Sequence, residues 1–96
     1  MAVKKMTPNE VRAVHERLKL HEAYEAAFSG PGGALVLADL ERRGFINELS
    51  YSPETGRTQF NEGRRSLVLH VKYMLDPAAR DALVQSLKPE NISEGD

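Results

Sequence analysis

The stretch TQFNEGRRSLVLHVKYML, running from Thr58 to Leu75, decides how this chain folds. Phe60, Leu67, Val68, Val71, Met74 and Leu75 fall in it at helical spacing and form one continuous apolar stripe. The spacing predicts a helix over 58–75 that serves as the central core element. Gly63 stands inside it, where glycine costs about 1 kcal/mol against alanine, so a close helix crossing is expected there. Arg64 falls within the angular width of the stripe, while Glu62 and Arg65 point elsewhere. A guanidinium in an apolar stripe needs a partner, and two readings stay open. One is an internal ion pair with a carboxylate such as Asp39, the aliphatic stem packing among the apolar residues. In the other, Arg64 and Arg65, with Arg57, grip an acidic surface of another subunit or a phosphate backbone.

On the C-terminal side, Asp76-Pro77 combines a capping side chain with a proline suited to a first helical position. It opens a shorter helix with Leu83, Val84 and Leu87 inward, which Lys88-Pro89 ends. On the N-terminal side, Ser52-Pro53-Glu54-Thr55-Gly56 is a turn, and Phe45 to Arg57 has no helical period. Phe45, Ile46, Leu49 and Tyr51 are too apolar for a free loop, so this long connection is expected to lie over the helices as a cover. It has no strand partner and predicts no sheet.

Further upstream, a helix from Pro31 to Arg43 is expected to turn Val36, Leu37 and Leu40 inward. Gly44 stands where a left-handed cap belongs, and Arg42 and Arg43 in the last turn favour the helix dipole. Before it, Gly30, Pro31, Gly32 and Gly33 form a structural hinge. A phosphate cradle at this helix start is the rival reading. Pro31 removes a donor, however, and the Lys and Ser/Thr ending of a nucleotide loop is missing. The first helix opens at Thr7-Pro8-Asn9-Glu10 with a capping box and runs without a break to about Phe28. Its apolar residues form two stripes, Val11, Val14 and Leu18 on one side and Leu20, Ala23, Tyr24 and Ala27 on another. Two stripes that do not merge fit either a bend near Lys19 to Glu22 or, as preferred here, a continuous helix with one face available to another chain.

The expected architecture is all-α: a small bundle of three main helices plus a short C-terminal helix, with a long covering loop between helices 2 and 3. Residues 1–6 are an N-terminal arm, 7–88 a single helical domain, and 89–96 a flexible acidic tail. With 96 residues, the chain has room for one small core. Thirteen Lys and Arg against 14 Asp and Glu exclude a strongly basic nucleic-acid coat by bulk charge. The absence of cysteine excludes disulfides, thiolate zinc sites and thiol nucleophiles. Neither a signal peptide nor a membrane span is indicated.

His15, His21 and His70 lack the spacing of metal ligands, and no serine stands in a nucleophile motif. No catalytic residues, metal or cofactor are expected, and the chain reads as a non-enzyme.

Phe28-Ser29-Gly30-Pro31, Val36-Leu37-Ala38-Asp39-Leu40 and Asn61-Glu62-Gly63-Arg64-Arg65 before an apolar helix resemble the small tailed-phage and prophage proteins of the Bordetella-phage type. The resemblance covers about Tyr24 to Leu75, and Glu62-Gly63-Arg64-Arg65 is its best marker. It implies a phage origin and a small structural or head-to-tail role. The expected function is therefore a virion or assembly protein. It would bind a larger structural protein near the portal, tail or capsid interior in multiple copies, within the virion and, during assembly, in the host cytoplasm. Leu20 and Tyr24 are the expected apolar anchors, and Arg57, Arg64 and Arg65 the register-setting cations. The alternative is a small nucleic-acid-binding or packaging-regulatory phage protein that sets the same arginines against phosphates.

Overall fold

The computed structural model describes residues 4–47 and 49–93. Four helices follow one another among them: α1 (Pro8–Ala27), α2 (Gly30–Arg43), α3 (Arg57–Met74) and α4 (Pro77–Ser86), with a 3₁₀ turn at Pro89–Asn91. The all-α bundle and the long connection before α3 are as the sequence predicts.

Local chemistry sets the helix boundaries. Thr7 Oγ1 accepts from the Glu10 N–H at 3.3 Å, and the Glu10 carboxylate accepts from the Thr7 N–H at 3.1 Å. This reciprocal cap holds the Glu10 carboxyl below its ordinary range, chiefly through the Thr7 backbone donor. Helix α1 then runs unbroken for 20 residues. Asp76 caps α4 by accepting the Ala78 N–H at 3.0 Å.

In the hinge, Gly30 takes φ +75, a conformation that disfavours a β-carbon, and Pro31 and Gly32 are exposed in the first turn of α2. Gly33 is buried, and a β-carbon there would overlap the Phe28 backbone carbonyl. The other end of α2 differs from expectation. Gly44 has φ −91, and the left-handed residue is the next one, Phe45, at φ 55. Close packing explains the glycine, since an added β-carbon at 44 would stand 2.6 Å from Val68 Cγ2.

Helix α3 is the spine. Helices α1, α3 and α4 pack on one another, whereas α2 packs substantially on α3 alone. His21 of α1 is 2% exposed, and its Nδ1 lies 2.9 Å from the Met74 carbonyl oxygen at the end of α3. A carbonyl only accepts, so Nδ1 carries the hydrogen. Between α2 and α3, Lys72 Nζ pairs with Glu41 at 3.2 Å; between α1 and α4, Arg80 pairs with Glu25 at 3.5 Å.

The covered core is thinner than the apolar stripes predict. Val14, Val68 and Met74 are the buried apolar side chains among the described residues. Phe60 and Leu67 are exposed on α3, so the stripe is covered only in part, because no helix lies over that face. Val36, expected inward on α2, is exposed, as is Val84 on α4. The connection covers less than its composition suggests: Phe45 and Ile46 are half-buried, but Leu49 and Tyr51 face solvent. Gly63 faces open space rather than a helix crossing.

The tail expected to be flexible from residue 89 is held through Ser93. The Met6 N–H donates to the Asn91 carbonyl at 2.8 Å, and the Ser93 N–H donates to the Met6 carbonyl at 2.9 Å. The arm expected over 1–6 is thereby joined to the chain's other end at Met6, and residues 1–3 and 94–96 lie outside the described residues.

The molecule measures 57 × 34 × 20 Å, with a radius of gyration of 18.1 Å. A compact chain of this length has a radius of roughly 12–13 Å.

Candidate functional site

Three side chains on α3 stand at spacings of three and four, Arg57, Phe60 and Arg64, and so share a face. The Phe60 ring is exposed between two cations. The Arg64 guanidinium carbon lies 4.5 Å from the ring centroid and that of Arg57 5.7 Å away. Arg57 is also paired loosely with Glu54, at 3.8 Å. Arg64 has no ion-pair partner among the described residues; the face of Phe60 is its contact.

The internal pair with Asp39 is not formed. Asp39 is taken by its own helix, with Arg42 at 2.5 Å and Arg43 at 3.0 Å. Spacings of three and four along one helix bring these groups together without any tertiary contact. The two guanidiniums, Arg43 first and Arg42 second, hold the Asp39 carboxyl below its ordinary range.

Beside this face, Leu40, Arg43, Gly44, Arg64, Leu67 and Val68 line a groove of about 290 Å³ between α2 and α3. Its walls are aliphatic and its edges carry guanidinium groups. Of the two guanidiniums, that of Arg43 is bonded to Asp39, which leaves Arg64 as the unpaired one at this edge among the described residues.

Arg65 does not belong to this surface. Its Nη1 donates to the Phe45 carbonyl oxygen at 2.6 Å and to that of Ile46 at 3.4 Å, so this cation is committed to its own fold. The structure thus places Arg65, expected beside Arg57 and Arg64, against the connection and apart from the face those two share. Nearby, Asn61 is buried and donates to the Ser50 carbonyl at 2.9 Å, and Glu62 accepts from the Ser50 hydroxyl. The marker motif thus divides by helical phase. Asn61, Glu62 and Arg65 hold the long connection, while Gly63 and Arg64 face outward.

Leu20 and Tyr24 come together elsewhere. With Ala23, Ala27 and Phe28 they line a groove of about 220 Å³ on α1, which shares no residue with the arginine-edged groove. Leu20 is 50% exposed, and Tyr24 is half-buried, edge-on to His70 at 6.0 Å. The five side chains expected to act together are therefore one internal clamp and two surfaces.

Phe60, Leu40 and Leu67, core positions by their spacing, frame the candidate surface instead. The available signal was Arg64 itself, since a charge inside an apolar stripe marks where that stripe meets water. Among the described residues no three His, Asp or Glu side chains converge as a metal site. No helix there is long and apolar enough to cross a membrane.

Fold and surface together define a small all-α protein whose central helix presents an arginine-flanked apolar face to solvent. The chain belongs to the Bbp19-like phage protein family, whose model matches residues 24–85. It is a phage protein, and the match spans the hinge, all of α2 and α3, and most of α4. No curated protein and no solved structure matches the chain.

Proposed function

We propose that this protein is a non-enzymatic component of phage assembly that docks onto a larger phage structural protein near the portal, tail or capsid interior. The carrying observation is the Phe60–Arg64 face, an exposed aromatic ring beneath a guanidinium that no carboxylate of the described chain neutralises. Gly63 supports the reading. It sits in the same helix turn, has nothing within 4 Å of where a side chain would begin, and so makes room for nothing inside the molecule. A partner with an apolar side chain bordered by Asp or Glu fits this face. The apolar group enters beside Leu67, and a carboxylate meets Arg64 in a charge-assisted hydrogen bond.

Nucleic acid is the weaker occupant. Phosphate binding draws on several free cations along one surface. Here Arg65 is bonded to backbone carbonyls, and Arg42 and Arg43 share Asp39.

Mass spectrometry of purified particles tests the assignment, and complete absence of the protein from virions removes it. In phage carrying Arg64→Glu, the folded protein is expected to be depleted from particles. Equal incorporation overturns the role of this face. DNA binding that weakens steeply with salt and is lost in Arg64→Ala would shift the reading to packaging regulation.

A further inference from the structure

We infer that this chain also self-associates, a second copy covering the elbow formed by the end of α1 and the start of α2. The proposal is separate from the docking face on α3. Its basis is the run Ala26 to Ala38, 13 residues without a single charged or histidine side chain in a chain that is 28% charged. Of this run only Gly33 is buried; Phe28 and Leu37 are half-buried, and the remainder is exposed. Leu35 is 74% exposed and Val36 53%. The α1 groove lined by Leu20, Ala23, Tyr24, Ala27 and Phe28 adjoins the same elbow and extends its apolar surface. Interface cores are depleted of charge in this way, whereas free surfaces of small soluble domains are not.

Area argues for a second copy. The chain exposes 7317 Å², against roughly 5,500 Å² for a compact monomer of its mass, an excess of roughly 1,800 Å². Two chains that each bury a large part of that excess reach the 2,000–5,000 Å² range typical of obligate homodimers. The cause of the excess is visible in the fold, since α2 has one substantial packing partner and a helix layer needs a further layer to close over it. A second copy brings a matching uncovered helix at the same concentration. A net charge of −1 sets almost no repulsion between copies.

Sedimentation equilibrium of the full chain at roughly 100 μM, which populates any contact of micromolar affinity, reads this directly. The mass is expected to be a multiple of 10.7 kDa. Leu35→Glu should return it to the single-chain value with helical circular dichroism intact, while Phe60→Ala leaves the assembly unchanged. A wild-type mass of 10.7 kDa, or an assembly indifferent to Leu35→Glu, overturns the proposal. A spin label on Leu35→Cys supplies a second readout, because the chain has no other cysteine. Dipolar coupling between copies is expected, and its absence at the same concentration overturns the inference even if Leu35→Glu fails to fold. Loss of self-association with retained particle incorporation would separate this contact from the docking face.

Discussion

Arg65 on α3 donates to the carbonyl oxygen of Phe45 at 2.6 Å, and Phe45 is the one non-glycine residue at positive φ among the described residues. The guanidinium fixes the chain where it leaves α2 in a conformation that costs roughly 1 kcal/mol or more for a non-glycine residue. Adjacent Arg64 makes no such contact and lies on Phe60 instead. Two neighbouring arginines are therefore expected to separate cleanly on substitution. Arg65→Ala should lower unfolding stability by about 1.5–3 kcal/mol, the range for a hydrogen bond to a charged donor. Arg64→Ala should cost no more than about 1 kcal/mol, the range for an exposed cation–π contact. Urea titration of both variants checks this, and equal losses would contradict it.

Gly63→Ala should stabilise the protein by about 0.5–1 kcal/mol. The position is helical and exposed, and its built β-carbon meets nothing within 4 Å, so alanine's helix propensity acts unopposed. The same variant should weaken partner docking if the α3 face is the docking face. A thermal melt decides the first part and particle incorporation the second.

Gly44→Ala should destabilise by about 1–3 kcal/mol, because its β-carbon would meet Val68 Cγ2 at 2.6 Å and Val68 Cβ at 2.8 Å. In a Val68→Ala background the added loss should be smaller, a non-additivity that a double-mutant cycle measures.

His21→Leu should cost about 1–3 kcal/mol despite replacing a buried polar residue with an apolar one. It leaves the Met74 carbonyl, now accepting from Nδ1 at 2.9 Å, without that donor at the junction of α1 and α3. Denaturant unfolding monitored by helical signal reads the loss; an unchanged midpoint and slope would show that the bond carries no net stability.

Acid should loosen the end of α2. The Asp39 carboxyl is held below its ordinary value by Arg43 and Arg42, so its ionised form is favoured by folding and protonation favours the unfolded chain. The contribution is fully present above the ordinary value of about 3.9 and is lost as pH falls through the depressed folded value. Glu10, depressed by the Thr7 cap, acts in the same direction at the start of α1. Melting temperature between about pH 6 and pH 2 should fall less steeply for Asp39→Asn than for wild type, and parallel profiles would argue against the linkage.

Much of the fold was legible in the sequence. The Thr7 and Asp76 caps, the hinge at Gly30 and the period of α3 are interactions between residues a few positions apart, and such local terms can be read from spacing alone. Candidate-site residues were legible only in part. Arg57 and Arg64 meet around Phe60 because all three are neighbours on one helix, whereas the link between Arg65 and Phe45 spans 20 positions and leaves no periodic trace.

By itself, the sequence determined which segments are helical, where they begin and which faces are apolar, because those properties follow from backbone propensity and side-chain spacing. Only the tertiary structure decided which apolar faces are covered. Val68 is sealed against Gly44 while Leu67, one position earlier, faces water, since α2 reaches one side of α3 and not the other. Periodicity marks a face as suitable for burial; coverage depends on the path of a distant helix across it.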